Sequence, residues 1–141
     1  MNSESEFEQF DQFNSWDQAE QKAIKAYELY EEGQMSEALS AMNEALDINP
    51  SNDRWHFNKA LTLDAMERFD QAIEEYKLAL ELNPDDIEML NCLAVDYTRT
   101  GQYDLSLETF RQIEEIDPNF EPGYCNRIIT YTEMGNYEMA E

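Results

Sequence analysis

His56 is the only histidine among 141 residues, so any general acid–base or nucleophilic scheme using imidazole would have to pass through it. No nucleophile motif surrounds it, and the residue is expected to pack against a neighbouring helix. Cys92 and Cys125 are the two thiols. A metal centre wants Cys or His in pairs a few residues apart, and neither cysteine has such a partner. Both are expected to be buried or to line a groove. The 32 Asp and Glu residues are numerous, but abundance does not make a catalytic pair, and they read as solvated faces. Gly33, Gly101 and Gly135 stand at helix ends and Gly123 in a first helical turn, so no glycine-rich phosphate loop exists. An enzyme is not expected, nor a cofactor or metal. What the side chains can do is bind. Asn58, Asn91 and Asn126 each donate and accept, which suits the unpaired backbone of a peptide.

These residues need a framework, and the chain supplies one by repetition. Pro50, Pro84 and Pro118 are spaced by 34 residues, and Ala38, Ala72, Ser106 and Ala140 keep the same step. Gly33, Gly101 and Gly135 do too, with Glu67 in the vacant slot. A period of this length marks an array of helical hairpins. The pattern predicts helices over 16–32 and 35–48, 53–66 and 69–82, 86–100 and 103–116, then 121–134 with a second helix starting at Asn136. Asn52 or Asp53 and Asp70 are the cap candidates in the second hairpin. Asn49-Pro50, Asn83-Pro84 and Asp117-Pro118 stop the second helices, because proline lacks the N–H and its predecessor avoids helical angles.

Spacing and residue types together resemble the tetratricopeptide repeat, an antiparallel helix pair of 34 residues. Small residues at Ala26, Ala60 and Ala94 and at Ala38, Ala72, Ser106 and Ala140 stand where the helices cross; Leu29, Leu63, Tyr97 and Tyr131 and then Met42, Tyr76 and Phe110 fill the seam. The resemblance implies an all-α fold, an α-solenoid of tandem helix pairs in a right-handed superhelix of about three and a half repeats. Residues 19–52, 53–86 and 87–120 form the units, 121–141 a truncated fourth, and 1–18 an acidic aromatic segment or capping helix. Ile128 replaces Ala in the fourth unit and Ile113 replaces Ala45 and Ala79, so the last interface should be wider or repacked.

By the same resemblance the first helices line a concave groove for a peptide. On that face should lie Tyr27, Tyr30, Phe57, Asn58, Leu61, Asp64, Asn91, Cys92, Val95, Arg99, Cys125, Asn126 and Ile129, with the anchor pocket built on Phe57, Leu61 and Val95. One subtype clamps the C-terminal carboxylate of heat-shock chaperones with Lys, Arg and Asn. This chain keeps Asn58 but has Ala23, Glu88 and Cys92 in the basic slots, which argues against that ligand. A protein-binding scaffold is therefore expected. A self-assembly module and a peptide-sensing receptor are the alternatives.

Charge narrows the partner. The formal net charge is −23, which repels phosphate backbones and anionic lipid, so neither nucleic acid nor membrane is expected. Each second helix carries net −3, while the first helix of the second hairpin sums to zero. The groove should thus be apolar with amides and the outer face acidic. The start MNSESEFEQF lacks a basic segment and an apolar run, which reads as cytoplasmic. Phe7, Phe10, Phe13 and Trp16 recur every three residues and should dock on the first hairpin or in a groove. The end resembles a cut array, with Tyr124, Ile128 and Tyr131 lacking a partner helix. Self-association through that end or through residues 1–18 is a further expectation.

Overall fold

The computed structural model describes the backbone of residues 3–140 and the side chains of residues 15–135. Seven helices follow one another among the described residues: α1 Ser3–Glu31, α2 Met35–Ile48, α3 Asp53–Ala65, α4 Phe69–Leu82, α5 Ile87–Arg99, α6 Tyr103–Ile116 and α7 Glu121–Ala140. No strand occurs there. Helices α1 and α2, α3 and α4, and α5 and α6 form hairpins; α2 then packs on α3, α4 on α5 and α6 on α7. The result is an all-α solenoid in which each pair buries its face on the next.

The turns are set by local backbone chemistry. Gly33 and Gly101 adopt φ of 82° and 77°, a left-handed conformation that costs glycine nothing. Their amides bond Tyr30 O at 3.0 Å and Thr98 O at 3.1 Å, while Gln34 N and Gln102 N reach back to Leu29 O and Tyr97 O at 2.8 Å. This pairing satisfies the last carbonyls of each first helix. The middle hairpin makes the same turn without glycine: Glu67 takes φ 59°, and Arg68 N bonds Leu63 O at 2.9 Å. An L residue there pays about 1–2 kcal/mol, so only the surrounding bonds hold it.

Helix starts differ by position. Asn52 Oδ1 accepts from Trp55 N at 3.1 Å and Asp86 Oδ1 from Met89 N at 3.0 Å, each capping a first helix. Helix α4 begins with Arg68 as its cap residue, so Asp70 sits in the first turn instead of capping it. There it favours the positive helix end.

Crossings between helices are closed by small residues. Ala26, Ala38, Ala60, Ala72, Ala79, Ala94 and Ser106 are all buried. Tyr76, Met42 and Phe110 fill the seams between them. At the last junction Ile113 occupies the slot that Ala45 and Ala79 hold earlier, and it too is buried. Room comes from Gly123 in the first turn of α7. A Cβ there would stand 3.2 Å from Phe120 Cδ1 and 3.6 Å from Ile113 Cγ2. The expected repacking is therefore a local exchange of size.

Two boundaries differ from the expected pattern. Helix α1 is continuous from Ser3, so residues 3–18 are not a separate element folded back on residues 19–30. No Gly or Pro lies between them to allow a turn. The fate of Phe7, Phe10 and Phe13 lies outside the described side chains; Trp16 is exposed. Helix α7 likewise runs through Gly135 to Ala140 and does not start a second helix at Asn136. Packing at Tyr137 and Ala140 lies outside the described residues.

Candidate functional site

Helices α1 and α3 lie side by side and leave a dent between them. Ala26, Tyr27 and Tyr30 form one wall, Asn58, Leu61 and Thr62 the other, and Met42 of α2 the floor. Residues three and four apart share a helix face, which is why these two sets meet. The dent is shallow and open to solvent, with a free volume of about 20 Å³. That is far below the few hundred Å³ of a usual small-molecule site. It suits the tip of one apolar side chain better than a cofactor. Tyr27 stands at the rim, 55% exposed. A hydrogen bond with Glu31 raises its phenol pKa, so the hydroxyl keeps its proton. Thr62 donates its hydroxyl to the Asn58 carbonyl at 2.8 Å. The half-buried Asn58 carboxamide makes no hydrogen bond among the described residues, so its donors and acceptor are available at the lip of an apolar hollow.

The other expected groove residues divide. Asn126 Nδ2 donates to Asn91 Oδ1 at 3.0 Å, tying α7 to α5. Cys92 is half-buried, and burial pushes its thiol up to about 11, so it is an inert thiol at neutral pH. Val95 is half-buried against the cluster of Leu90, Ala94, Phe110 and Ile113. Arg99 pairs with Asp96 Oδ1 at 3.2 Å and lies over the Phe69 ring at 5.2 Å, away from the dent. Ile129 is exposed on α7. Phe57 needs correction: it is 1% exposed and belongs to the core, not the groove. Tyr76 packs beside it, with ring centroids 5.9 Å apart, and the Arg54 guanidinium lies 4.9 Å from its centroid. Arg54 is held there by Asp86 at 3.8 Å and Glu88 at 3.9 Å. Sequence periodicity put Phe57 on the right side of α3, but Arg54 roofs it.

Comparison with known proteins agrees with the helical-repeat fold. The family model described as tetratricopeptide repeat matches residues 29–95, from the last residues of α1 through α2, α3 and α4 into α5. The matched segment, just under half of the chain, is tetratricopeptide repeat sequence. No curated protein matches it by sequence. Among solved structures, the first tetratricopeptide domain of Spaghetti (RPAP3), bound to the HSP90 peptide SRMEEVD, matches with TM-score 0.78 at 16% identity, over 84% of this chain and 94% of that one. The Arabidopsis OM64 domain matches with TM-score 0.77 at 16% identity, over 84% and 98%. The Sgt2 domain of Aspergillus fumigatus matches with TM-score 0.75 at 18% identity, over 87% and 83%. At such identities the likeness is one of fold.

Within this helical array, buried polar groups wire the joints, and they include carboxylates that the sequence reading left on solvated faces. His56 is buried as expected, but it is also a bridge: Nε2 lies 2.7 Å from Pro50 O and Nδ1 2.7 Å from Glu75 Oε2. Lys59 Nζ adds a 3.0 Å contact to Glu75 Oε1. Glu75 therefore belongs to the joint and not to the acidic outer face. At the last joint, Thr98 Oγ1 lies 2.7 Å from both Ser106 Oγ and Thr130 Oγ1. At the middle joint Asp96 is fully buried beside Asp64. One signal was in the sequence: Asp96 stands in the slot that Thr62 and Thr130 fill one unit away on either side. An acid in a slot otherwise taken by small hydroxyls is out of place on a solvated face. Among the described residues no three His, Cys, Asp or Glu side chains gather as a metal site would need, and no helix is long and apolar enough to cross a membrane.

Proposed function

We propose that the domain is a non-catalytic scaffold whose first-helix face binds a peptide or helix of another protein, anchored by one apolar side chain in the α1–α3 dent. The observation that carries this reading is the pairing of an apolar hollow with the unpartnered Asn58 carboxamide at its lip. Such a pair can take a side chain and the backbone beside it together. The RPAP3 neighbour, in complex with an HSP90 peptide, supports the use of this fold for peptide capture. Its ligand suits this chain poorly. Ala23, Glu88 and Cys92 hold the basic slots of the carboxylate-binding subtype, and the net charge of −23 repels an acidic segment. SRMEEVD itself should therefore bind weakly or not at all, and a neutral or basic peptide with an apolar anchor should bind.

Peptides selected on the purified domain from a random display library would provide the ligand, and calorimetry the affinity. Tyr27→Ala with Leu61→Ala should weaken binding by about 2 kcal/mol or more, roughly 30-fold, as removal of central anchors does. Glu74→Lys with Glu81→Lys on the exposed outer face of α4 should leave affinity for a neutral peptide unchanged. The opposite pattern would place the site on the outer helices.

A second reading rests on α7. Ile128 is 66%, Tyr131 54% and Tyr124 38% exposed, an apolar stripe at helical spacing. Such a patch favours association with another copy. Sedimentation should show the mass rising with concentration for the wild type and not for Ile128→Glu. A wild type that stays monomeric throughout would remove this reading.

A further inference from the structure

We infer that Asp64 and Asp96 hold one proton between them, and that this proton latches the second hairpin to the third. Each carboxylate has one oxygen already served. Tyr76 donates its hydroxyl to Asp64 Oδ2. The Arg99 guanidinium donates to Asp96 Oδ1 at 3.2 Å. The remaining oxygens, Asp64 Oδ1 and Asp96 Oδ2, are buried and have no partner among the described residues. The two carboxyl groups nevertheless lie within hydrogen-bonding reach of each other. Two buried anionic acceptors cannot face one another without a donor. A single proton supplies it: one carboxyl becomes an O–H that donates to the other. Asp96 is fully buried and is the natural seat of the proton.

The surroundings support that placement. Burial first, and then the hydrogen bond and charge of Asp64, push the Asp96 carboxyl up to about 8 against the pull of Arg99. From α3 the facing group is Asp64, from α4 Tyr76, and from α5 itself Cys92 and Arg99. Burial raises both the Tyr76 phenol and the Cys92 thiol, so each keeps its proton through neutral pH. Helices α6 and α7 meet α5 through the uncharged Thr98, Ser106 and Thr130.

Binding the proton leaves the pair with one negative charge, and losing it to solvent leaves two. The second charge repels across the contact between α3 and α5, with only Arg99 to compensate. The unfolded chain gives up this proton near the ordinary carboxyl value of 3.8, the folded chain only near 8. Between those values folding takes up a proton. Stability from this pair is complete below the lower value, falls as pH rises across the window, and levels off above the upper one.

Urea unfolding of the wild type and of Asp96→Asn from pH 5 to pH 9 tests the latch. The amide of the variant donates to Asp64 permanently, without a titrating proton. Between pH 5 and 7 the wild-type folding constant should fall about tenfold per pH unit more steeply than that of the variant, the slope of one proton. Parallel curves would overturn the proposal. Should the variant not fold, carbon NMR of wild-type protein labelled at aspartate carboxyls decides. One carboxyl titrating near pH 8 is expected, and none outside the ordinary acidic range would overturn it.

Discussion

Phe57→Ala should destabilise the domain by about 3–5 kcal/mol, the cost of emptying a fully enclosed aromatic site. Phe57 is 1% exposed, closed by Tyr76 and Arg54 and bound into the cluster of Ala60, Leu63, Ile73 and Met89. A domain of this size has only about 5–15 kcal/mol in total, so the variant should unfold at much lower urea. Leu61→Ala, one turn along on the same helix, is the control. Leu61 is half-buried on the wall of the dent, and its loss should cost less stability and more affinity. If instead Phe57→Ala keeps the wild-type midpoint and loses the selected peptide, Phe57 faces the groove in solution and the Arg54 roof is not closed.

Ile113→Ala should be the next most damaging change, at about 2–5 kcal/mol. The earlier units carry Ala at this slot without harm, so repeat consensus alone would predict a neutral substitution. The difference lies across the joint. In the middle unit Ala79 and Met89 share one buried cluster; at the last joint the sizes are exchanged to Ile113 and Gly123. Gly123→Met alone should gain about 1 kcal/mol of helix propensity and lose about 1–3 by overpacking. Combined with Ile113→Ala, the methionine fills the vacated space. The double variant should be more stable than the sum of the two by about 0.5–3 kcal/mol. Strict additivity in urea titrations would mean that the two side chains do not share one space.

The hairpins, their turns and their stops were legible because each is specified by residues next to one another. Glycine at the left-handed turn, Asn or Asp before proline and a capping Asn52 act within a few residues, and the 34-residue step repeats them. Gly135 misled because the same residue that permits a turn does not enforce one. The α1 boundary misled for the converse reason: the change of composition near residue 18 is not a break in the backbone. Tyr27, Tyr30, Asn58 and Leu61 were placed near one another by face alone, and the dent gathers them. Phe57 was not, since depth within a face depends on what Arg54 does above it. Asp96 was hidden because its partner lies on another hairpin, at a distance in space that no local spacing encodes.

The three joints share a backbone plan but not a wiring. His56 with Glu75 and the Pro50 carbonyl serves the first, Asp64 with Asp96 the second, and Thr98 with Ser106 and Thr130 the third. The hairpins are therefore not interchangeable parts. A reordered chain that set the third hairpin directly after the first would bring Asp96 against Tyr30, the residue in the Asp64 slot, with no Tyr76 behind it. At the second and third joints the neighbour is thus named by buried side-chain polar atoms, Asp64 with Asp96 and Thr98 with Thr130. The order of the array is fixed by chemistry as well as by the covalent chain, and a mispaired or swapped assembly would leave charges and hydroxyls stranded at its seams.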